Sequence, residues 1–247
     1  MKTIGIIPAR YASTRFPGKP LADIGGKTMI QRVYEQAKKA ALDEVLVATD
    51  DYRILNHVLA FGGKAVLTKE EHPSGTDRCF EAYCKHNRNF AFALNIQGDE
   101  PFIQPEQINQ LVEALRQPSS QIATLGRRIT EPANLHSPNV VKLVMSLQHE
   151  ALYFSRHPIP YQRGAEPAHW LQNQRYYQHI GLYGFRTDIL EQLVQLPVSD
   201  LERTESLEQL RWLEHGFKIR VGLTEHASVC IDTPDDLERA IAQLKAG

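Results

Sequence analysis

Arg10, Arg15 and Lys19 share one short segment near the start of the chain, and no Asp or Glu precedes Asp23. Three fixed cations without an acid beside them suit a polyphosphate, because guanidinium groups clamp phosphate oxygens bidentately and lysine adds a point charge. Gly18 allows the backbone to approach a ligand closely. A solvated loop carrying ordinary basic residues has the same composition, so the charges alone leave both readings open. Further along, Gln97-Gly98-Asp99-Glu100-Pro101 closes an apolar run. An Asp at a strand end beside Gly can hold Mg2+ under a triphosphate, or accept local hydrogen bonds within a turn. Asp232-Thr233-Pro234-Asp235-Asp236 has the composition of a helix start, where capping is the immediate role and metal ligation by Asp232 a separate one. Ser74-Gly75-Thr76-Asp77-Arg78 opens another helix, whose hydroxyls and amides could read a pyrimidine edge or cap the helix.

Two further groups are polar where the pattern is otherwise apolar. A helix is predicted over 204–215, with Glu205, Glu208, Gln209 and Trp212 on one face at spacings of three and four and Leu207, Leu210 and Leu213 on the other. A polar face without lysines suits hydroxyl recognition, and a solvated face explains it equally. Arg156, His179 and Tyr183 are embedded in strand-like contexts, which favours a pocket.

Other chemistries drop out. Gly26-Lys27-Thr28 imitates the end of a P-loop, but the glycine that motif needs is Leu21. Neither the dinucleotide fingerprint nor the hydrolase elbow occurs, and the 10 histidines show no zinc spacing. The formal net charge of −1 provides no general field for nucleic acid or a membrane surface. The 3 cysteines, Cys79, Cys84 and Cys230, read as reduced thiols of a cytosolic protein. No leader opens the chain and no apolar run approaches the ~18 residues of a membrane span, so a cytoplasmic protein is expected.

The elements that must position these residues follow from periodicity. Strands are expected over 3–8, 44–49, 64–67 and 90–96, alternating with helices at 27–42, around 54–58, at 76–86 and at 105–116. That alternation predicts a mostly parallel twisted sheet with helices on both faces, an α/β Rossmann-like class. Ligands of such sheets bind at the carboxyl ends of the strands, where Arg10, Asp50 and Gln97–Asp99 fall. After residue 117 the rhythm changes: strands at 122–128, 140–145, 180–186 and 218–224, an irregular 157–175, and a last helix at 234–245. The chain reads as one domain, with 1–117 the nucleotide half and 118–247 a half containing a small β-rich excursion.

Six segments, in order, resemble the 3-deoxy-manno-octulosonate (Kdo) cytidylyltransferases: Ile4–Leu21, Ser74–Arg78, Gln97–Phe102, Tyr153–Arg156 with Pro158–Tyr161, His179–Arg186, and Leu207–Arg211 with Asp232–Leu237. Phe16 and His157 are mild departures from the family pattern. The resemblance implies a nucleotide-diphospho-sugar transferase-like fold and the reaction CTP + Kdo → CMP-Kdo + pyrophosphate, for lipopolysaccharide synthesis. It implies Mg2+ on Asp99 and Asp232, with Arg10, Arg15 and Lys19 on the β- and γ-phosphates. Ala9, Ser74, Gly75 and Thr76 would serve the nucleotide. Gln97, Arg156, His179, Tyr183, Glu208 and Gln209 would bind the acidic eight-carbon sugar. It further implies a homodimer joined through the excursion at 119–190. Another acidic sugar, such as 8-amino-Kdo or a sialic acid, and a nucleotide-binding regulator without chemistry are the alternatives.

Overall fold

A computed structural model describes residues 1–12, 16–86, 89–227 and 229–246. The chain divides into two compact units, 1–109 with 228–247, and 110–227.

The first unit alternates β1 (Thr3–Ala9), α1 (Met29–Lys39), β2 (Glu44–Thr49), α2 (Tyr52–Ala60), β3 (Ala65–Leu67), α3 (Gly75–His86) and β4 (Phe92–Asn95), with α4 (Pro105–Leu115) running on into the second unit. β1 is buried at every position but one, as expected of a central parallel strand covered on both faces. The strands lie in the order β3-β2-β1-β4, all parallel, with Ile6 opposite Leu46 on one side and Asn95 on the other. From β1 the chain winds outward to β2 and β3 and then returns to β4 on the far side. The order therefore reverses between β1 and β4, which opens a crevice at their carboxyl ends. Ala9-Arg10 and Gln97-Gly98-Asp99 leave the sheet at that crevice.

Residues from 228 onward, read from the sequence as part of the second half, fall with the first unit. The physical reason is a shared core: buried Ile231 and Ala240 pack with Ile24 and Met29, and Phe16, Phe102, Leu237 and Ile241 lie against them. A backbone bond from Ile231 N to Asp99 O (3.0 Å) ties the returning chain to the end of β4.

The second unit holds β5 (Ile122–Arg128), α5 (Pro132–His136), β6 (Lys142–Met145), β7 (Ala151–Ser155), α6 (Trp170–Asn173), β8 (Tyr177–Arg186), α7 (Thr187–Leu193), α8 (Asp200–Glu205), α9 (Glu208–Glu214) and β9 (Ile219–Leu223). β5 runs antiparallel to β8 and parallel to β9, and the β6–β7 hairpin joins β8 through β6. Two expectations need correction here. The predicted helix at 204–215 is two helices, because Ser206 adopts a left-handed backbone (φ 53°) and stops α8. The segment 157–175, read as irregular, is fastened around Trp170 and Tyr176. Both are buried with Ile129 and Leu135, and the Tyr176 hydroxyl donates to Pro160 O at 2.7 Å.

Gly98 is the tightest point of the crevice: a Cβ there would stand 2.7 Å from the Pro8 carbonyl oxygen. Gly98→Ala should therefore cost about 1–3 kcal/mol of overpacking. Thermal denaturation should show a loss of roughly 2–4 °C per kcal/mol for a chain of this size.

Candidate active site

A cavity of about 340 Å³ opens at the crevice, lined by Pro8, Ala9, Arg10, Lys19, Pro20, His72, Pro73, Ser74, Gly75, Arg78, Gln97, Gly98, Asp99 and Asp232. Most residues expected to serve the nucleotide line it. Thr76 is instead buried in the first turn of α3 and is not a lining residue. Arg15 lies outside the described residues.

Lys19 opens a short 3-10 turn (Lys19–Leu21) that follows Gly18. Gly18 has φ 73°, a left-handed conformation that favours glycine, and its N–H donates to Tyr11 O at 3.0 Å. The turn aims Lys19 inward. Its Nζ donates to Asp99 Oδ2 at 2.8 Å and Asp232 Oδ1 at 3.3 Å. Burial alone would lower the lysine's pKa, but the two carboxylates outweigh it and the net direction is upward, so the ammonium stays charged.

Asp232 is available for this contact because its neighbours handle the helix start. Thr233 Oγ1 accepts from Asp236 N (3.2 Å), while Asp236 Oδ2 accepts from the amides of Asp232 (3.0 Å) and Thr233 (2.9 Å). Two carboxylates meeting at one cationic atom form a donor set that fits a hard divalent ion. Cys230, which sequence reasoning took only as a reduced thiol, contributes a sulfur within 4.8 Å of both carboxylates. Cys230 is exposed, but the crowding of the site and then the charges of Asp99 and Asp232 push its pKa upward, so it is a protonated neighbour with little affinity for a hard cation.

The lining residues Ser74, Gly75 and Arg78 are held by largely part-buried polar bonds. Ser74 Oγ accepts from the amides of Thr76 (3.1 Å) and Asp77 (3.2 Å) and donates to Asp77 Oδ2 (2.6 Å), capping α3. Arg78, 4% exposed, donates to Asp50 Oδ2 (2.8 Å), Thr68 Oγ1 (2.7 Å) and Lys69 O (3.1 Å), tying the ends of β2 and β3 to α3. His72 bonds Glu81, which also accepts from Lys69 N at 2.8 Å and whose pKa falls to about 2. Burial opposes that fall, and the hydrogen bonds from Lys85, Lys69 and His72 overcome it. His72, Pro73 and Arg78 were missing from the expected site; Arg78 belonged to a recognised segment, but nothing in its spacing distinguished a cavity wall from a helix start.

The residues expected to bind the sugar fall in the second unit, apart from Gln97, which lines the cavity of the first. In a regular strand, residues four apart stand about 13 Å apart. The His179 and Tyr183 rings are nevertheless 5.2 Å apart, because the β5–β8 register slips between Thr124 and Leu125 and compresses β8 there. Thr124 Oγ1 lies 2.9 Å from Leu182 O and 2.9 Å from His179 Nε2. With its single proton on the carbonyl, the hydroxyl accepts from Nε2–H, and Nδ1 is the acceptor nitrogen. Burial pushes the pKa of His179 down to about 3 and that of Tyr183 upward, the latter with help from Glu208.

Leu207 and Leu210 are buried as expected, and part of the polar face read on α9 is buried with them: Gln209 and Trp212 are enclosed, at 5% and 0% exposure, and the Tyr183 and Trp212 rings meet edge to face at 5.0 Å. The Tyr183 hydroxyl, Gln209 Nε2 and Trp212 Nε1 are buried without a partner among the described residues. Each such atom costs about 1–3 kcal/mol unless a ligand satisfies it. Trp212 was placed on the polar face by its spacing but was not singled out as a donor. Arg156 donates to three backbone carbonyls, Glu205 O (2.8 Å), Pro138 O (3.0 Å) and Ser206 O (3.3 Å).

The neutral His179 makes stability depend on pH. The unfolded chain takes up a proton near 6.5 and the folded one only near 3. Stability from this group is complete above 6.5 and falls as pH drops through that window, by at most about 1.4 kcal/mol per pH unit. Denaturant titrations from pH 7 to 4 should show His179→Gln losing less stability than the parent protein.

Among the described residues no helix is long and apolar enough to cross a membrane. The cytidylyltransferase family model matches residues 4–219. A 3-deoxy-manno-octulosonate cytidylyltransferase of Parabacteroides distasonis is 56% identical over 99% of this chain and 98% of its own length. One from Thermodesulfovibrio yellowstonii is 51% identical over 97% of each chain. The solved structure of a CMP:2-keto-3-deoxy-manno-octonic acid synthetase complexed with CTP superposes with a TM-score of 0.92 at 44% identity, covering 100% of this chain and 99% of that one. This fold, this cavity and these full-length likenesses agree: the chain belongs to the cytidylyltransferase family.

Proposed function

We propose that the protein transfers the cytidylyl group of CTP to 3-deoxy-manno-octulosonate, releasing pyrophosphate. The observation that carries this reading is the convergence of Lys19, Asp99 and Asp232 in a cavity also lined by Ser74, Gly75 and Arg78. Relatives that are Kdo cytidylyltransferases over their full length support the choice of sugar.

In this reading the sugar's anomeric oxygen forms a bond to the α-phosphorus, its proton passing to solvent water, as the bond from that phosphorus to the pyrophosphate oxygen breaks. Arg10 and Lys19 take the β- and γ-phosphates and offset the charge that develops on the departing pyrophosphate. Ala9 and the Ser74-Gly75 turn hold the base, with the Asp50–Arg78 pair keeping that wall rigid. Asp99 and Asp232 would hold Mg2+, which when bound supplies Lewis-acid stabilisation to phosphate oxygens.

The acidic sugar is assigned to the second unit, where the unpartnered donors of Tyr183, Gln209 and Trp212 suit a ligand rich in oxygen acceptors. Neutral His179 offers Nδ1 to a hydroxyl, Glu208 accepts another, and Arg156 belongs to the same set by the family pattern. A cytoplasmic location and a homodimer belong to the same reading. Leu147, Leu152 and Tyr161, all largely exposed within 119–190, support a contact through that segment.

Purified protein given CTP, Mg2+ and an acidic sugar should release pyrophosphate fastest with Kdo. A preference for 8-amino-Kdo or sialic acid would move the assignment to that sugar, and CTP binding without release from any of them would make the protein a regulator. Asp99→Asn should lose turnover by at least about 100-fold, as does removing one electrostatic contact to a transition state, with far-ultraviolet dichroism unchanged. Tyr183→Phe should raise KM for the sugar about 5- to 10-fold, the loss of one hydrogen bond, and leave KM for CTP unchanged.

A further inference from the structure

The Lys19 ammonium stands between the two carboxylates assigned to the metal, 2.8 Å from Asp99 and 3.3 Å from Asp232. Both acids remain partly open to the cavity, with side chains 25% and 37% exposed. The backbone that carries Lys19 is fixed by Gly18 N to Tyr11 O (3.0 Å), Leu21 N to Gly18 O (2.8 Å) and Ala22 N to Lys19 O (3.1 Å). The four-carbon stem is flexible, so Nζ can travel within the cavity while its backbone stays in place. Lys19 thus sits on the acids, although the proposed reaction needs it on the triphosphate.

We infer that Lys19 is a resident counter-ion: its ammonium neutralises the acidic pair until a divalent cation displaces it, and the displaced ammonium moves to the triphosphate. The inference rests on the reading of Asp99 and Asp232 as the metal-holding pair. Two carboxylates and one ammonium sum to −1, which the protein can hold in a part-exposed site. A divalent ion brings the sum to +1 and places like charges side by side, so the ammonium is expelled toward the anionic phosphate oxygens. Metal and nucleotide then favour the same arrangement of Lys19, and each strengthens the binding of the other. Without nucleotide, the metal's apparent affinity is reduced by the fraction of protein whose acidic pair Lys19 occupies.

The test is Mn2+ titration of the nucleotide-free protein, with free Mn2+ followed by electron paramagnetic resonance, for the parent, Lys19→Met, Lys19→Gln and Asp99→Asn. Both Lys19 variants should bind Mn2+ about 10-fold more tightly than the parent, a typical size for one coupling between sites. Equal or weaker binding in both variants, with binding lost in Asp99→Asn, overturns the counter-ion role and leaves the metal reading standing. Parent-like binding in Asp99→Asn overturns the metal reading and the counter-ion role with it.

Discussion

Two carboxylates that share a few ångströms of space need a cation between them, and the rest of the first unit is arranged to bring Asp99 and Asp232 into that situation. Asp99 arrives from the end of β4, at the place where the strand order reverses. Asp232 arrives from the far end of the chain, held by the bond from Ile231 N to Asp99 O and by the core that Ile231 shares with Ile24 and Met29. Gly98 permits the close approach to β1 that puts both beside Lys19. Without the ammonium or a metal ion, the pair would repel itself apart.

The second unit solves a different problem. It leaves the donors of Tyr183, Gln209 and Trp212 enclosed and unpartnered, which a folded chain tolerates chiefly where a ligand completes them. A register slip in β8 and the left-handed Ser206 between α8 and α9 are the local irregularities that shape this region. Both interrupt regular hydrogen bonding. The neutral state of His179 belongs to the same design, since an enclosed imidazolium without an acid partner would be unstable there.

Much of the first unit was legible in the sequence because β1, β2 and β4 are buried on both faces and read as unbroken apolar runs; β2 at Glu44–Thr49 matches its expected bounds. Arg10, Lys19 and Asp99 stood at the ends of buried strands in the sequence, but their types alone fitted a solvated loop or a turn as well, and only the fold brings the three to one cavity. Less was legible where the cause lies far away in the chain. The association of Asp232 with the first unit depends on a backbone bond and a shared core that no local pattern contains. The break at Ser206 is invisible to periodicity, since Ser is ordinary in both helices and turns, and the helical spacing continues across it. Trp212 read as one member of a polar face, and only its enclosure beside Tyr183 makes its indole N–H notable. His72 gave no signal at all until the fold set it against the cavity and Glu81 behind it.

The most direct test of this account is a crystal structure with CTP and Mn2+, the metal located by its anomalous scattering. The account predicts one manganese peak touching both Asp99 and Asp232, with Lys19 Nζ on a β- or γ-phosphate oxygen and the base against Ser74-Gly75. A triphosphate bound away from this cavity, or a Lys19 still paired with both aspartates beside bound nucleotide, would contradict it.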